Sequence, residues 1–135
     1  MFALTTQILV VDHMPVVRKM IGKVCRELGF INITEAGDGV LAWEAITNAD
    51  TSFGLVLTEL EMPNCGGIDL VKRVRSDQRF RKTPFLLVTI ETDPNKILAA
   101  IKAGMNSYVA KPFTPDLLRE KLEEVQHKLP ETSSS

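Results

Sequence analysis

Five polar residues close or follow apolar runs at widely separated points of the chain. Asp12 and His13 follow residues 7–11, Glu59 follows 53–58, Thr89 ends 85–89, and Lys111 follows 107–110. Glu61 stands two residues beyond Glu59. Each has a local explanation when taken alone. Asp12 could cap the helix that follows it, Thr89 could cap another, and Lys111 could be a solvated charge ahead of Pro112. Their joint placement says more. If the apolar runs are strands of one parallel sheet, their ends deliver acids, a hydroxyl and an amine to one edge. That is the edge at which open α/β sheets bind ligands, and groups of this kind handle charged ones.

The elements that would position these groups alternate in type along the chain. Residues 7–11 are almost wholly apolar, as expected of a strand covered on both faces. Pro15 suits the first turn of a helix. Val17, Ile21, Val24, Cys25 and Leu28 share one face of that helix, and Gly29 stops it. A second strand is predicted over 31–36, with Ile31, Ile33 and Glu35 alternating against polar neighbours. Asp38 is the predicted N-cap of a helix whose Ala42, Ala45, Ile46 and Ala49 form a stripe of small residues, with Trp43 beside it. Residues 53–58 read as a third strand, 62–67 as a loop, and 68–76 as a helix with Val71 and Val74 inward. Strand 85–89 follows Thr83 and Pro84. Asp93 and Pro94 then start a helix that buries Ile97, Ala100 and Ile101 and ends at Gly104. A short strand over 107–110 precedes a last helix, capped by Thr114, with Leu118, Leu122, Val125 and Leu129 on its stripe and Pro130 at its end. Five β–α units in series predict a doubly wound α/β fold, a (βα)5 five-stranded parallel sheet with right-handed crossovers and helices on both faces.

Composition bounds what such a fold would do. A chain of 135 residues, 44% hydrophobic and 24% charged, suits one soluble domain. Its net charge of −1 gives no reason to expect a dedicated nucleic-acid surface. No apolar run nears the roughly 20 residues of a membrane helix, and residues 1–7 lack the character of a signal peptide, so a cytoplasmic location is expected. Cys25 and Cys65 lie far apart and near no histidine cluster, so no metal-site spacing is present. Cys25 is expected in the core and Cys65 in a loop, without a disulfide between them. An enzyme of nucleotide-binding or flavodoxin type lacks support, because neither Gly-x-x-x-x-Gly-Lys-Ser/Thr nor Gly-x-Gly-x-x-Gly follows the first strand.

Segments 8–12 (Ile-Leu-Val-Val-Asp), 55–63 (Leu-Val-Leu-Thr-Glu-Leu-Glu-Met-Pro), Gly67, 87–89 and 108–113 (Tyr-Val-Ala-Lys-Pro-Phe) occur in a telling order and at telling intervals. Together they resemble the receiver domains of response regulators, especially single-domain chemotaxis regulators of the CheY type. The resemblance implies a receiver domain over 1–129, with 130–135 a disordered tail or linker start, and the flavodoxin-like strand order 2-1-3-4-5. It also implies a chemistry. An aspartate ending the third strand takes a phosphoryl group from a kinase histidine. Two acids after the first strand hold magnesium, helped by a backbone carbonyl two residues past the acceptor. A hard cation takes oxygen ligands and offsets charge on the transferring group. By the same resemblance, Thr89 bonds a phosphoryl oxygen, Lys111 pairs with that group, Tyr108 swaps between outward and inward rotamers, and Lys111–Pro112 is cis.

Two positions depart from this pattern. Glu59 stands where the resemblance puts the phosphoacceptor aspartate, and His13 where it puts the second metal-binding acid. One extra methylene moves a carboxylate by roughly 1.5 Å, and misplacement on that scale costs about a hundredfold in positioned chemistry. An imidazole in place of an acid removes a hard ligand and a negative charge. Asp12, Glu59 and Glu61, the last through its carbonyl, remain for Mg2+, so weak binding and impaired phosphorylation are expected. The longer acid reaches towards Lys111 and Thr89 and is expected to do part of the work of a phosphate. It offers one negative charge against about −1.5 to −2. Moving a switch from 1:99 to 99:1 takes about 5.5 kcal/mol, more than one partly solvated ion pair supplies. A partly active-like state follows, with Tyr108 inward and Thr89 turned to the acid. Glu61 either pairs with a base or faces solvent. Ile90, where the family often has a small residue, either restricts access to the pocket or faces solvent too.

By resemblance, output runs through the fourth helix, fifth strand and fifth helix, a face expected to include Lys96, Ile97, Ala100, Tyr108, Val109 and Lys121. The implied partners are a sensor histidine kinase, a flagellar switch component or an output domain, with no nucleic acid and no membrane engaged by this domain alone. The expected role is signal reception in a phosphorelay rather than enzymatic turnover. The alternative is a pseudo-receiver, a protein-interaction module read without phosphorylation.

Overall fold

Each apolar run finds its place in one sheet. In the computed structural model, which describes residues 2–127, the strands are β1 (Gln7–Val11), β2 (Asn32–Ala36), β3 (Leu55–Thr58), β4 (Phe85–Thr89) and β5 (Ser107–Ala110). All pair in parallel, in the order β2-β1-β3-β4-β5. The helices are α1 (Pro15–Glu27), α2 (Gly39–Asn48), α3 (Gly67–Ser76), α4 (Pro94–Ala103) and α5 (Pro115–His127). The doubly wound fold and its strand order are thus as expected. Leu129, Pro130 and the tail lie outside the described residues. None of the described helices is long and apolar enough to cross a membrane.

Alternation along the strands splits the core between the two faces of the sheet. Ile8, Val10, Leu55, Leu57, Leu86 and Val88 pack against Ile21, Val24 and Cys25 of α1 and Leu118, Leu122 and Val125 of α5. Leu9, Val11, Val56, Phe85 and Leu87 face Ala42 and Ile46 of α2, Leu70, Val71 and Val74 of α3, and Ala100 of α4. Full burial of such side chains contributes roughly 1.5–3 kcal/mol each. The edge strands β2 and β5 are the exceptions, with Thr34 and Glu35 exposed on the first and Tyr108 and Ala110 on the second. Ile31, assigned to that strand from sequence, lies outside it and is 68% exposed. Phe53 and Gly54 also precede their strand rather than open it.

Caps set where the helices begin. Asp38 accepts from Leu41 N–H at 2.9 Å, Asp93 from Asn95 N–H at 2.9 Å, and Thr114 from Leu117 N–H at 3.2 Å. Asp38 also takes a 2.9 Å bond from the Asn64 side chain, and Gly39 N–H donates to Cys65 O at 2.9 Å. The β3–α3 loop is therefore strapped to the start of α2, with Asn64 in the left-handed region at φ 66. The Leu41 and Asn64 donors hold the Asp38 carboxyl below the usual carboxylate range.

Candidate functional site

Sheet pairing continues one residue past the strand ends, and this brings the polar residues together. Val11 pairs with Thr58, and Glu59 N–H donates to Val11 O at 3.0 Å. Thr89 pairs with Ala110, and Lys111 N–H donates to Thr89 O at 3.0 Å. Asp12, Glu59, Thr89 and Lys111 consequently converge at the carboxyl edge of β1, β3, β4 and β5.

Asp12 is 1% exposed and fixed on several sides. Its Oδ1 accepts from Met14 N–H at 2.9 Å, and its Oδ2 lies 2.9 Å from Lys111 Nζ. Its main-chain carbonyl accepts from the Arg18 guanidinium at 2.7 Å, and Arg18 reaches on to Glu35 at 3.1 Å. Lys111 Nζ also stands 3.8 Å from Glu59 Oε1, so one ammonium lies between two buried acids. Thr89 Oγ1 donates to Glu59 Oε1 at 3.3 Å and accepts from Glu91 N–H at 3.0 Å. Glu59 is 7% exposed, and its Oε2 is buried with no hydrogen-bond partner. Burial pushes the Glu59 carboxyl above the usual range, while Lys111 and Thr89 pull it back and Asp12 adds to the rise. Gly67 seals the loop behind this acid. Its N–H donates to Leu60 O at 2.9 Å, and a Cβ there would collide with the Glu59 carbonyl.

The other sequence-marked residues stand at the rim. The His13 side chain is 48% exposed, with Nδ1 3.8 Å from Asp12 Oδ1. Glu61 turns outward, 3.8 Å from Lys96 Nζ, which lies 3.7 Å from Glu91 as well. Ile90 is 72% exposed. Thr89 is turned to the acid, as expected, but Tyr108 is not inward: it is 40% exposed, with Lys121 Nζ 5.4 Å from its ring centroid. Strand alternation puts Tyr108 and Ala110 on the open side of β5, whose Ser107 and Val109 are buried. Two residues assigned to the output face are core instead. Ala100 is 0% exposed beneath α4 and Val109 is 1% exposed. Lys111–Pro112 is cis.

Arg18 and the bridging role of Lys96 were not read as site features from the sequence. Both occupy the first turn of a helix that directly follows a strand end. That position, carrying a long basic side chain, is the signal that could have marked them.

A family described as the response regulator receiver domain matches residues 8–123. The chain belongs to this family. It is 44% identical over 120 residues to the chemotaxis protein CheY1 of Helicobacter pylori, covering 88% of this chain and 95% of that one. The solved structure of the chemotaxis response regulator CheY4 of Vibrio cholerae superposes with a TM-score of 0.79 at 29% identity, covering 90% of this chain and 98% of that one. The receiver domain of the sensor histidine kinase PA1611 from Pseudomonas aeruginosa, solved with magnesium in its active-site cleft, gives 0.79 at 25% identity over the same shares.

Magnesium fits the residues of this chain poorly. Among the described residues there is no group of three or more His, Cys, Asp or Glu able to hold a metal ion. Both oxygens of Asp12 are engaged, and the Lys111 ammonium already lies between Asp12 and Glu59, where a cation would have to displace it.

Proposed function

We propose that this receiver domain, spanning 1–129, is a two-component signalling switch in which Glu59 holds the phosphoacceptor position and acts as a partial, standing substitute for a phosphoryl group. The supporting observation is the Thr89 hydroxyl bonded to Glu59 Oε1 at 3.3 Å, with Lys111 Nζ at 3.8 Å. By family resemblance these are the partners a phosphoryl oxygen would take. The substitution is incomplete on two counts. Glutamate carries one charge against about −1.5 to −2, and the Lys111 separation of 3.8 Å exceeds a hydrogen bond. The outward Tyr108 does not meet the inward placement expected of an active-like state, so the reading rests on the Thr89 and Lys111 contacts alone.

Phosphorylation is impaired on this reading, because the longer side chain misplaces the acceptor oxygen. Magnesium is held weakly, by Asp12, Glu59 and the Glu61 carbonyl, with His13 in place of an acid. The domain turns over no substrate of its own. It works in the cytoplasm, receiving from a sensor histidine kinase or engaging a downstream output protein through Lys96, Tyr108 and Lys121 of the α4–β5–α5 face. Likeness to the CheY proteins supports chemotaxis as the setting. The exposed His13 favours a second reading, a pseudo-receiver whose interface is read without phosphorylation or metal.

Acetyl phosphate with magnesium separates the two, read by intact mass and Trp43 fluorescence. The parent chain should stay unmodified, and Glu59→Asp should gain one labile phosphoryl group. A labile gain on the parent would sink the claim that Glu59 blocks the chemistry. If Glu59→Asp stays unmodified and Glu59→Asp with His13→Asp does too, the pseudo-receiver stands.

A further inference from the structure

Six of the chain's sixteen lysines and arginines fall within residues 72–82: Lys72, Arg73, Arg75, Arg79, Arg81 and Lys82. Asp77 is the one acid among them, so six bases less one acid give this stretch +5 on a chain of net −1. It covers the second half of α3 and the turn into β4. The turn lies at the amino end of β4, at the other end of that strand from Thr89 and the Asp12–Glu59 site.

The patch is built on a fixed frame. Arg75 is the half-buried base, and it donates to Gly104 O at 2.8 Å, Thr83 O at 2.6 Å, Arg81 O at 3.0 Å and Asn106 Oδ1 at 3.2 Å. Phe80 N–H to Asp77 O at 3.1 Å and Thr83 N–H to Phe80 O at 2.9 Å close successive turns. Arg79, Arg81 and Lys82 therefore project from a loop of set course. Aromatic rings hold two guanidinium groups. Arg73 lies 4.5 Å from the Trp43 ring centroid and Arg79 4.7 Å from that of Phe80, and the two rings meet edge to face at 6.1 Å. A stacked guanidinium keeps its planar fork outward and loses little freedom when it binds a carboxylate.

Arg79 is already paired with Asp77 at 2.8 Å. Lys72, Arg73, Arg81 and Lys82 are exposed, and among the described residues none of them is in an ion pair. Four exposed bases without an ion-pair partner, within eleven residues of sequence, call for an anionic partner. The acids around them bear on its kind. Glu44, beside Trp43, and Asp69, one turn before Arg73, are both exposed. The rest of the chain carries −6 against the +5 here. A long polyanion running past the patch meets repulsion, whereas a short carboxylate-bearing segment does not. We propose that this face binds a short acidic segment of a partner protein.

Trp43 is the single tryptophan and sits under Arg73, so it reports on the patch. The full chain is titrated with a glutamate-rich peptide, with an oligodeoxythymidylate of equal charge, and with vesicles containing anionic lipid. Binding is followed by Trp43 fluorescence and calorimetry. The peptide should bind saturably and more tightly than the oligonucleotide or the vesicles, and added salt should weaken it. Arg81→Glu with Lys82→Glu, which leaves the Arg73–Trp43 stack in place, should weaken the peptide at least about tenfold. Lys72→Glu, on the helix rather than the loop, gives an independent check should the double variant misfold. Absence of saturable peptide binding overturns the proposal, as does peptide affinity unchanged in both variants. Tighter binding of the oligonucleotide or the vesicles overturns it in favour of that partner.

Discussion

Glu59→Gln removes one charge from the site without changing its shape, and the structure predicts that the protein becomes more stable at neutral pH. The carboxylate is 7% exposed, and its Oε2 has no partner. An unsatisfied buried acceptor costs about 1–3 kcal/mol, and more when charged. Against this stand the Lys111 contact at 3.8 Å, the Leu60 backbone N–H and the Thr89 bond at 3.3 Å. Loss of the first does not strand Lys111, which keeps Asp12 at 2.9 Å. Burial is the largest influence on the Glu59 carboxyl and outweighs the attractions, since the net shift is upward. A gain of about 1 kcal/mol is expected, or roughly 3–5 °C in Tm for a domain of this size. The sign can be checked through pH. An acid whose native pKa is raised contributes stability that is fully present below its unfolded value and lost as pH rises through the native one. Parent and Glu59→Gln should therefore unfold alike in urea below the ordinary glutamate range. They should diverge as pH climbs above it, with the variant the more stable. A variant less stable at pH 7, or a difference that ignores pH, would show that Lys111 and Thr89 outweigh desolvation.

Two further outcomes follow from packing. Gly67→Ala drives a Cβ into the Glu59 carbonyl and against Leu60 Cα at 3.4 Å, which is backbone that cannot swing aside. It should cost about 1–3 kcal/mol, whereas Gly22→Ala crowds only the mobile end of Arg26, at 3.2 Å, with Ile33 Cγ2 in ordinary contact at 3.8 Å, and should cost less or stabilise helix α1. Equal urea midpoints for the two variants would refute this. The thiols should separate as well: Cys25 is 0% exposed and burial pushes it up to about 12, whereas Cys65 lies half-buried in a loop. A disulfide reagent should modify one thiol in the native protein and the second only after unfolding.

Topology was legible because its signals are local. Asp38, Asp93 and Thr114 sit where a cap must, the apolar runs are too short for helices, and five such units admit few arrangements. The site was legible to the same depth, since a strand end fixes where its next residue lies. Beyond that point, what matters is which side chain reaches which, across gaps that no periodicity spans. Arg18 reaches Glu35 over 17 residues and Asn64 reaches Asp38 over 26. Ala100 falls both on the stripe expected to be buried and on the face expected to signal, and the packing of α4 on the sheet decides for burial, at 0% exposure. Tyr108 and Thr89 are the sharpest case. From sequence they move together, one inward as the other turns to the acid; in the structure Thr89 has turned and Tyr108 has not. Thr89 answers to Glu59 directly, through a single bond. Tyr108 has no bond to Glu59 or Thr89 and keeps the Lys121 ammonium over its outward ring. On the proposed reading, a single carboxylate that holds Lys111 only at 3.8 Å engages the first part of the switch without drawing the second behind it. Under that proposal a partial stand-in has a physical meaning: the near contact is made, and the far one needs more charge than glutamate carries.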